Sequence, residues 1–445
     1  MGDVRVFIDF GSTFTKAVAF DPDAETLIAR VQSPSTVDTD VTAGLMSALG
    51  ELRRLAPIGE DEIKNAVACS SAAGGLRLVV IGLVPDYTTK AGYLAALGAG
   101  AKVVGSFSYE LTGAEARELD ALSPDIVLLT GGTDGGNKRT IVHNAGMLAA
   151  SSVRNVIVAG NKSARDEIEA AFEGSGKNVT YSPNVMPEFG ELELDAVNEK
   201  IRELFISRIT DAKGISKVSE IISGVVMPTP SAVLEAAKLI ADGAGAEPGL
   251  GELMLVDVGG ATTDVYSVAA GNPRDGVYLM GLREPYAKRT VEGDLGLFHN
   301  LDTLAQLTDV DGAALTALRA RFSVPEGGEM TRQQLALSRA AVKTAVTRHV
   351  GHIEYRRTAD GEVRIQRGKD LTAVKLVIGA GGPVAFSSDA RYVLSGAADG
   401  EPDTLAPRDP RYVIDEKYIL FAIGLLSRDE PEKALRIAKK YLRGV

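Results

Sequence analysis

The sequence predicts a duplicated α/β fold that carries an inserted α/β subdomain. Short apolar strands alternate with helical periodicity along the 445 residues, which is typical of α/β folds with parallel sheets. The segments Phe7–Lys16 and Leu255–Asp264 match each other at a constant offset of 248 residues, the difference between 257 and 9. Each is an apolar strand, an Asp, a turn of small residues and a second apolar strand. Repeats so far apart predict two related half-domains rather than a stack of short repeats.

The order of strands and helices divides the chain into five predicted segments. The first strand, Val4–Asp9, returns through Ala17–Phe20 as a hairpin, and helices and strands then alternate to the C-terminus. The predicted segments are 1–70, the first half of domain I; 71–215, the inserted subdomain; 216–242, a connecting hinge; 243–415, domain II; and 416–445, C-terminal helices that pack back on the body.

The charge, the apolar stretches and the cysteine content of the chain limit the classes of function that it can have. The formal net charge of −11 disfavours binding to nucleic acid or to anionic membranes. The longest apolar stretches, such as Leu78–Val84, are far shorter than the ~20 residues that cross a bilayer. The single cysteine, Cys69, excludes an intrachain disulfide and is expected to be a buried structural thiol. We therefore expect a cytoplasmic protein with no nucleic-acid or membrane partner, and the oligomeric state stays open, a homodimer included.

Both matched turns have the residue types that hold a metal-bound polyphosphate. Glycine lets the backbone approach a ligand, and successive N–H groups in such a turn form an anion-binding nest. Asp9 and Asp257 end the first strands and can hold Mg²⁺, directly or through water. Lys16 adds a point charge suited to a phosphate. Facing turns of this kind would grip a polyphosphate from both sides; the alternative is a pair of hairpins with polar tips.

A third glycine turn follows the strand Val374–Ile378, and it lets adenine and ribose lie against the backbone. By itself it is also compatible with a tight turn between a strand and a helix. The residues predicted to contact the nucleotide are Gly11, Ser12, Thr13, Thr15, Lys16, Gly259, Gly260, Ala261, Thr262, Thr263, Gly379, Ala380, Gly381 and Gly382.

These three elements, in this order, resemble the phosphate 1, phosphate 2 and adenosine motifs of the actin, heat-shock chaperone and sugar-kinase superfamily. The resemblance implies an actin-like, ribonuclease H-like fold of two ATPase domains that binds ATP and Mg²⁺. Asp9, Asp257 and Asp264 are then the catalytic residues. Val226–Ala232 resembles the first connecting segment of the seventy-kilodalton chaperones, but Met227 stands where they carry a water-positioning Glu. Asp257 or Asp264 would take over that role.

A second resemblance covers nearly the whole chain. The runs Ala68–Leu76, Leu97–Val103 and Leu129–Asn137 resemble the glutamate mutase MutL family, also written GlmL. This implies a chaperone-like ATPase that reactivates an adenosylcobalamin-dependent carbon-skeleton mutase, such as methylaspartate (glutamate) mutase, with ATP driving closure of the cleft. Two alternatives of the same fold stay open, a small-molecule kinase and an actin-like protein that assembles with ATP.

Four further features of the sequence can each be interpreted in two ways, one structural and one functional. The loop Thr130–Asn137 is expected to be a turn capped by Asp134 or Asn137, with a partner contact or a small-ligand site as alternatives. His349 and His352, three residues apart, can share a helix face, although no third metal ligand is evident. Charged residues after the second hairpin, Arg289 among them, are expected to be solvated, with lining of the cleft as the alternative. The run Lys433–Arg443 predicts an amphipathic helix that packs on the body with its lysines in water.

Overall fold

The computed structural model describes residues 4–36, 40–71, 76–210, 215–308, 315, 316, 318, 330–359 and 361–445. These residues form two compact units. The core unit comprises the described residues within 1–72, 211–278 and 286–445, and the inserted unit those within 73–210 and 279–285. The five predicted segment boundaries stay a prediction.

Strands of the core unit are β1 (Arg5–Phe10), β2 (Phe14–Asp21), β3 (Thr26–Pro34), β4 (Val67–Ser70), β10 (Gly224–Pro228), β11 (Gly243–Ala244), β12 (Glu247–Pro248), β13 (Leu253–Val258), β14 (Thr263–Val268), β15 (Val277–Leu279, whose last residue falls in the inserted unit), β16 (Ala287–Glu292), β17 (His352–Thr358), β18 (Gly361–Arg367), β19 (Leu376–Ala380), β20 (Arg411–Asp415) and β21 (Leu442–Gly444). Its helices are α1 (Val41–Leu55), α2 (Glu60–Lys64), α8 (Ile215–Ile221), α9 (Thr229–Asp242), α10 (Leu301–Gln306), α11 (Arg332–His349), α12 (Gly382–Ala385), α13 (Ala390–Ser395), α14 (Leu420–Leu426) and α15 (Pro431–Tyr441).

Two sheets of the core unit repeat one arrangement. In the first, β1 pairs antiparallel with β2 and parallel with β4, and β2 pairs antiparallel with β3. In the second, β13 pairs antiparallel with β14 and parallel with β19, and β14 pairs antiparallel with β16. The registers also correspond, because Asp9 faces Lys16 and Asp257 faces Asp264. The predicted duplicated α/β fold is therefore confirmed.

Helices from distant parts of the sequence fill the apolar core between the two sheets. α9, α14 and α15 contribute Ala237, Ile423 and Leu435, all fully buried, to one cluster with residues of both sheets. A β-carbon on Gly424 would collide with the carbonyl oxygen of Ala232, so α9 and α14 pack backbone to backbone at this point. The two half-domains thus share one hydrophobic core within the core unit.

The inserted unit is a complete α/β layer structure. Its strands are β5 (Arg77–Gly82), β6 (Lys102–Ser108), β7 (Ile126–Leu129), β8 (Asn155–Val158) and β9 (Asn178–Tyr181), and its helices are α3 (Lys90–Gly98), α4 (Gly113–Leu122), α5 (Arg139–Ala149), α6 (Arg165–Phe172) and α7 (Asp195–Thr210). All five strands run parallel in the order β6-β5-β7-β8-β9. This is the flavodoxin-like strand order, with its switch point between β5 and β7.

Several expectations about single elements have a clear outcome. His349 ends α11 whereas His352 begins β17, so the two histidines do not share a helix face, which corrects that prediction. The imidazole of His349 is fully buried, and its nitrogens lie 2.8 Å from the hydroxyls of Thr290 and Ser267. The sequence pattern also predicts a helix over 303–322, and most of that range lies outside the described residues. In the part of the chain that the structure describes, none of the helices combines the length and the apolar character that a bilayer crossing requires.

Candidate nucleotide-binding site

The first turn connects β1 to β2 and is closed by a backbone hydrogen bond. Gly11 N–H donates to the carbonyl oxygen of Phe14 at 3.0 Å, and a β-carbon on Gly11 would lie only 2.6 Å from the same oxygen. Gly11 is therefore needed for the turn itself. Ser12 and Thr13 are exposed at its tip. Two hydroxyl-bearing residues on a tight glycine turn provide the donors that an anion requires.

Asp9 is buried beneath this turn, and both of its carboxylate oxygens have partners. Lys16 Nζ lies 2.8 Å from Oδ2, and Thr229 Oγ1, at the start of α9, donates to Oδ1 at 2.6 Å. Burial opposes the charge of Lys16, but the attraction of Asp9 and Tyr418 outweighs it and raises the pKa of Lys16. Asp9 is thus held as a neutralised, hydrogen-bonded carboxylate.

The second turn, between β13 and β14, has the same backbone geometry. Gly259 N–H donates to the carbonyl oxygen of Thr262 at 2.9 Å. This hydrogen bond corresponds to the one between Gly11 and Phe14, at the same offset of 248 residues (259 minus 11). Where the first hairpin places Lys16, this one places Asp264. Asp264 accepts hydrogen bonds from Arg289 Nε at 2.8 Å and Thr262 Oγ1 at 2.9 Å. The cation at this turn, Arg289, therefore neutralises Asp264 rather than Asp257.

Asp257 is consequently the uncompensated carboxylate of the site. Within the described residues its Oδ1 is buried and has no hydrogen-bond partner. Burial and the charge of Asp264 raise the pKa of Asp257 to about 7, against the opposing effect of Lys16. A buried carboxylate of this kind favours a proton or a cation at its open oxygen. Asp257 therefore fits a divalent cation.

The two turns approach each other within the core unit. A β-carbon added to Gly260 in the second turn would lie 3.4 Å from Oγ1 of Thr13 in the first. Tyr418 lies beside both, since Lys16 Nζ is 4.1 Å from its ring centroid and the charge of Asp257 helps to raise its pKa. The structure thus brings the predicted phosphate-binding residues of both half-domains together.

Other predicted contact residues differ in accessibility. Thr15 is fully buried, and its hydroxyl has no partner among the described residues, whereas the Thr263 hydroxyl donates to Leu295 at 2.8 Å. Ala261 is half-buried between Gly260 and Thr262, at the rim of the second turn. The Thr263 hydroxyl therefore supports the second turn from inside, whereas the buried Thr15 hydroxyl makes no such contact with the described residues.

The third turn approaches the second one closely. Gly379 and Ala380 are buried in β19, where Ala380 pairs with Asp257. Gly381 has a φ of 88°, and a β-carbon there would collide with the carbonyl oxygen of Val258. Only Gly382, the first residue of α12, is partly accessible among the four predicted residues. The glycines thus join β19 to the Asp257 turn, and the accessible edge lies at Gly382.

Three residues at the site were not predicted from the sequence in these roles. Arg289 is 4% exposed and paired with Asp264, so the expectation of a solvated charge was wrong for it. In the sequence, Thr229 belongs to the predicted connecting segment Val226–Ala232 and Tyr418 to the predicted C-terminal helices of 416–445. Tyr418 has a positive φ of 53°, a strained conformation for a non-glycine residue. No local pattern marks such partners, because they come from distant parts of the chain.

The remaining features of the sequence make contacts within the structure. Cys69 is fully buried, and burial together with Asp9 raises the pKa of its thiol. Asn137 Oδ1 accepts from Thr140 N–H at 3.2 Å near the start of α5. α15 buries Leu435 and Ile437, while Lys433 pairs with Asp23 at 2.8 Å. Among the residues described, no three His, Cys, Asp or Glu side chains lie together as a metal site, so an ion held by Asp257 would need phosphate and water as its other ligands.

Comparison with known proteins identifies the family. The family model described as MutL protein matches residues 5–442 of the chain. A curated relative, Protein MutL from Clostridium tetanomorphum, is 43% identical over 458 aligned residues that cover 99% of each sequence. The chain belongs to the MutL protein family. The resemblance found in the sequence is therefore confirmed at the level of the family.

Solved structures similar to this MutL family member match it only loosely. The activator of the 2-hydroxyisocaproyl-CoA dehydratase from Clostridium difficile with bound ADPNP is 12% identical, covers 98% of this chain and 96% of its own, and has a TM-score of 0.31. The xylulose kinase from Bifidobacterium adolescentis is 10% identical, with coverage of 99% and 95% and a TM-score of 0.32. Similarity this loose supports no conclusion about activity.

Proposed function

We infer that this MutL family member is an ATP-binding, chaperone-like accessory protein of an adenosylcobalamin-dependent carbon-skeleton mutase, such as methylaspartate (glutamate) mutase. Family membership supports this proposal, together with the resemblance of three sequence runs to the glutamate mutase MutL family. Its role would be that of a reactivase, which restores a mutase that holds damaged cobalamin. The partners would be one or more mutase subunits in the cytoplasm.

The observation that carries the proposal is the pair of facing turns, one of which leaves a buried carboxylate oxygen open. Asp257, with its pKa near 7, would hold Mg²⁺, and Asp9 would assist through water because its own oxygens already accept hydrogen bonds. When bound, the ion would offset the negative charge of the triphosphate. The Gly11 and Gly259 turns would orient the phosphates from both half-domains.

We expect ATP hydrolysis to be slow because of the side chains that are available to activate water. Asp264 is engaged by Arg289 and Thr262, so Asp257 is the carboxylate available to orient the attacking water. The water would form the new bond to the γ-phosphorus while the bond to ADP breaks, and its proton would pass to a carboxylate. Met227, which takes the place of the chaperone Glu in the sequence resemblance, lies in the apolar core and offers no group to position water, so hydrolysis would be slow. The cleft between the two half-domains would then open and close because its open and closed states have different affinities for ATP and ADP.

The test measures two quantities on the same protein, phosphate release from Mg²⁺-ATP and recovery of an inactivated methylaspartate mutase. We expect the mutase to stimulate phosphate release and to regain activity only with ATP. Asp257→Asn should lower phosphate release on the order of a hundredfold, because one preorganised electrostatic contact is worth about that much. Asp9→Asn should lower it as well and should also weaken Mg²⁺-ATP binding.

The matched control is Asp399→Asn, an exposed aspartate of the core unit that pairs with Arg339 at 2.9 Å. It should leave both quantities unchanged. Equal reactivation by the parent and by both site variants would refute the ATP-dependent mechanism. Phosphate transferred to a small molecule in place of water would instead identify a kinase.

A further inference from the structure

A cavity of about 460 Å³ lies in the core unit, outside the nucleotide turns. Its walls come from β3, from the end of α12, from the residues after β20 and from the C-terminus of α15. The lining residues are Leu27, Ile28, Ala29, Arg30, Ala385, Phe386, Glu416, Lys417, Tyr441 and Arg443. None of them belongs to the residues predicted to contact the nucleotide. The volume lies within the usual range for small-molecule sites.

The charged groups of the lining are predominantly positive. Arg30, Lys417 and Arg443 face a single acid, Glu416. Glu416 lies 3.4 Å from Arg443 Nε, and the charge of Arg30 also acts on the carboxyl group of the buried Asp415. Three cations against these two acids leave an excess of positive charge. A concave wall with an excess of one sign raises the local concentration of ions of the other sign. The electrostatics of the cavity therefore select an anion.

Arg30 is held in place at the wall. Its Nη2 donates to Gln32 Oε1 at 2.6 Å, and its guanidinium carbon lies 5.5 Å from the ring centroid of Phe386 and 5.9 Å from that of Tyr418. A guanidinium stacked and hydrogen-bonded in this way loses little freedom when an anion binds. Arg30 is thus a preorganised cation at the cavity.

The rest of the lining suits a planar apolar group. Phe386 and Tyr441 supply aromatic surface, and Leu27 and Ala385 supply aliphatic surface. Tyr441 is fixed because its hydroxyl oxygen accepts from Leu27 N–H at 2.9 Å. A ligand with a flat apolar body and an anionic end would match both the aromatic and the cationic parts of the wall.

A second cavity, in the inserted unit, provides an internal contrast. It measures about 440 Å³ and also has aromatic lining, from Phe172 and Tyr181, but its charged groups are Glu169 and Glu173. Two cavities of similar size and aromatic character thus have opposite charge. An anionic probe discriminates between them on electrostatics rather than on size.

We propose that the core-unit cavity is a ligand site, distinct from the nucleotide turns, for a small organic anion with a planar apolar body, with Arg30 as its principal cation. Aromatic carboxylates and sulfonates belong to this chemical class. The proposal does not depend on ATP hydrolysis or on a mutase partner.

The test uses 1-anilinonaphthalene-8-sulfonate, a planar aromatic sulfonate, with the full chain, and follows binding by fluorescence and calorimetry. We expect one site whose affinity falls by about tenfold or more in Arg30→Gln, because hydrogen bonds to charged groups are worth that much. Lys417→Gln, on the exposed rim, should weaken binding by a smaller factor. The matched control, Arg428→Gln, removes an exposed cation between α14 and α15, outside the lining, and should leave the affinity unchanged.

Three results would overturn the proposal. One is unchanged binding in both Arg30→Gln and Lys417→Gln, where far-ultraviolet circular dichroism shows that the variants are folded. Another is an equal loss in Arg428→Gln, which would indicate diffuse surface binding. The third is competitive displacement of the probe by Mg²⁺-ATP, which would make the cavity part of the nucleotide site. Because binding is measured directly, a failed ATPase assay would not affect the result.

Discussion

The first and second turns of the site share a backbone but differ in how their acids are compensated. In each, a glycine N–H closes the turn at 2.9 to 3.0 Å, and an Asp ends the first strand. In the first turn the opposite strand gives Asp9 a cation, Lys16. In the second it gives Asp257 another acid, Asp264, whose own cation is Arg289. The two turns thus share a backbone geometry and differ in charge, so among the described residues only the second has a buried Asp with an oxygen that accepts no hydrogen bond.

The largest effect is expected from removing the cation of the second turn. In Arg289→Leu, Asp264 is only 8% exposed and keeps the hydrogen bond from the Thr262 hydroxyl but loses the guanidinium that neutralises it. Breaking a buried ion pair by removing one partner costs about 3–5 kcal/mol. We expect the free energy of unfolding, measured in urea at pH 7, to fall by that amount.

The control for this prediction is Arg443→Leu, which removes an exposed guanidinium paired with the partly exposed Glu416 at 3.4 Å. Exposed pairs contribute at most about 1 kcal/mol, so its effect should be small. If the two leucine variants lose equal stability, Arg289 does not compensate a buried charge, and the contrast between the turns is wrong.

The sequence predicted that the two turns share a backbone geometry, but it did not predict that their charges differ. The offset of 248 residues locates both turns, and hairpin geometry already implies that Asp9 faces Lys16 across the strands. That Lys16 contacts a phosphate stays a prediction, and in the structure Lys16 pairs with Asp9. Thr229 lies 220 residues from Asp9, so no local pattern could join them. The residues that set the state of each Asp arrive through tertiary packing.

A second prediction concerns the pH dependence of Asp257. Its pKa of about 7 in the folded chain lies above the ordinary 3.8, so the stability linked to its proton is complete below the unfolded pKa and is lost as the pH rises through 7. Asp257→Asn removes the titration. Without nucleotide or metal, its advantage over the parent should grow by about 2 kcal/mol between pH 5 and pH 8.

Urea unfolding at the two pH values measures this difference, with Asp399→Asn as the exposed control that should show no such growth. A parent and an Asp257→Asn protein with the same pH dependence would mean that Asp257 ionises normally. The same variant should lose ATP turnover while gaining stability. That combination is the expected signature of a carboxylate kept unpaired for function.

The smallest effect should come from the hydroxyls that support each acid. Thr229→Val removes the 2.6 Å hydrogen bond to Asp9 without changing the side-chain volume, and Thr262→Val removes the 2.9 Å bond to Asp264. Asp9 is 1% exposed and Asp264 is 8% exposed. We expect the free energy of unfolding to fall by about 1.5 kcal/mol in Thr229→Val and by about 0.5 kcal/mol in Thr262→Val, because hydrogen bonds to charged groups gain strength as water is excluded.

Thr229→Ser should recover most of the first loss, since it restores the donor. A serine variant as unstable as the valine variant would show that Thr229 acts by packing its methyl group, and Asp9 would then depend on Lys16 alone.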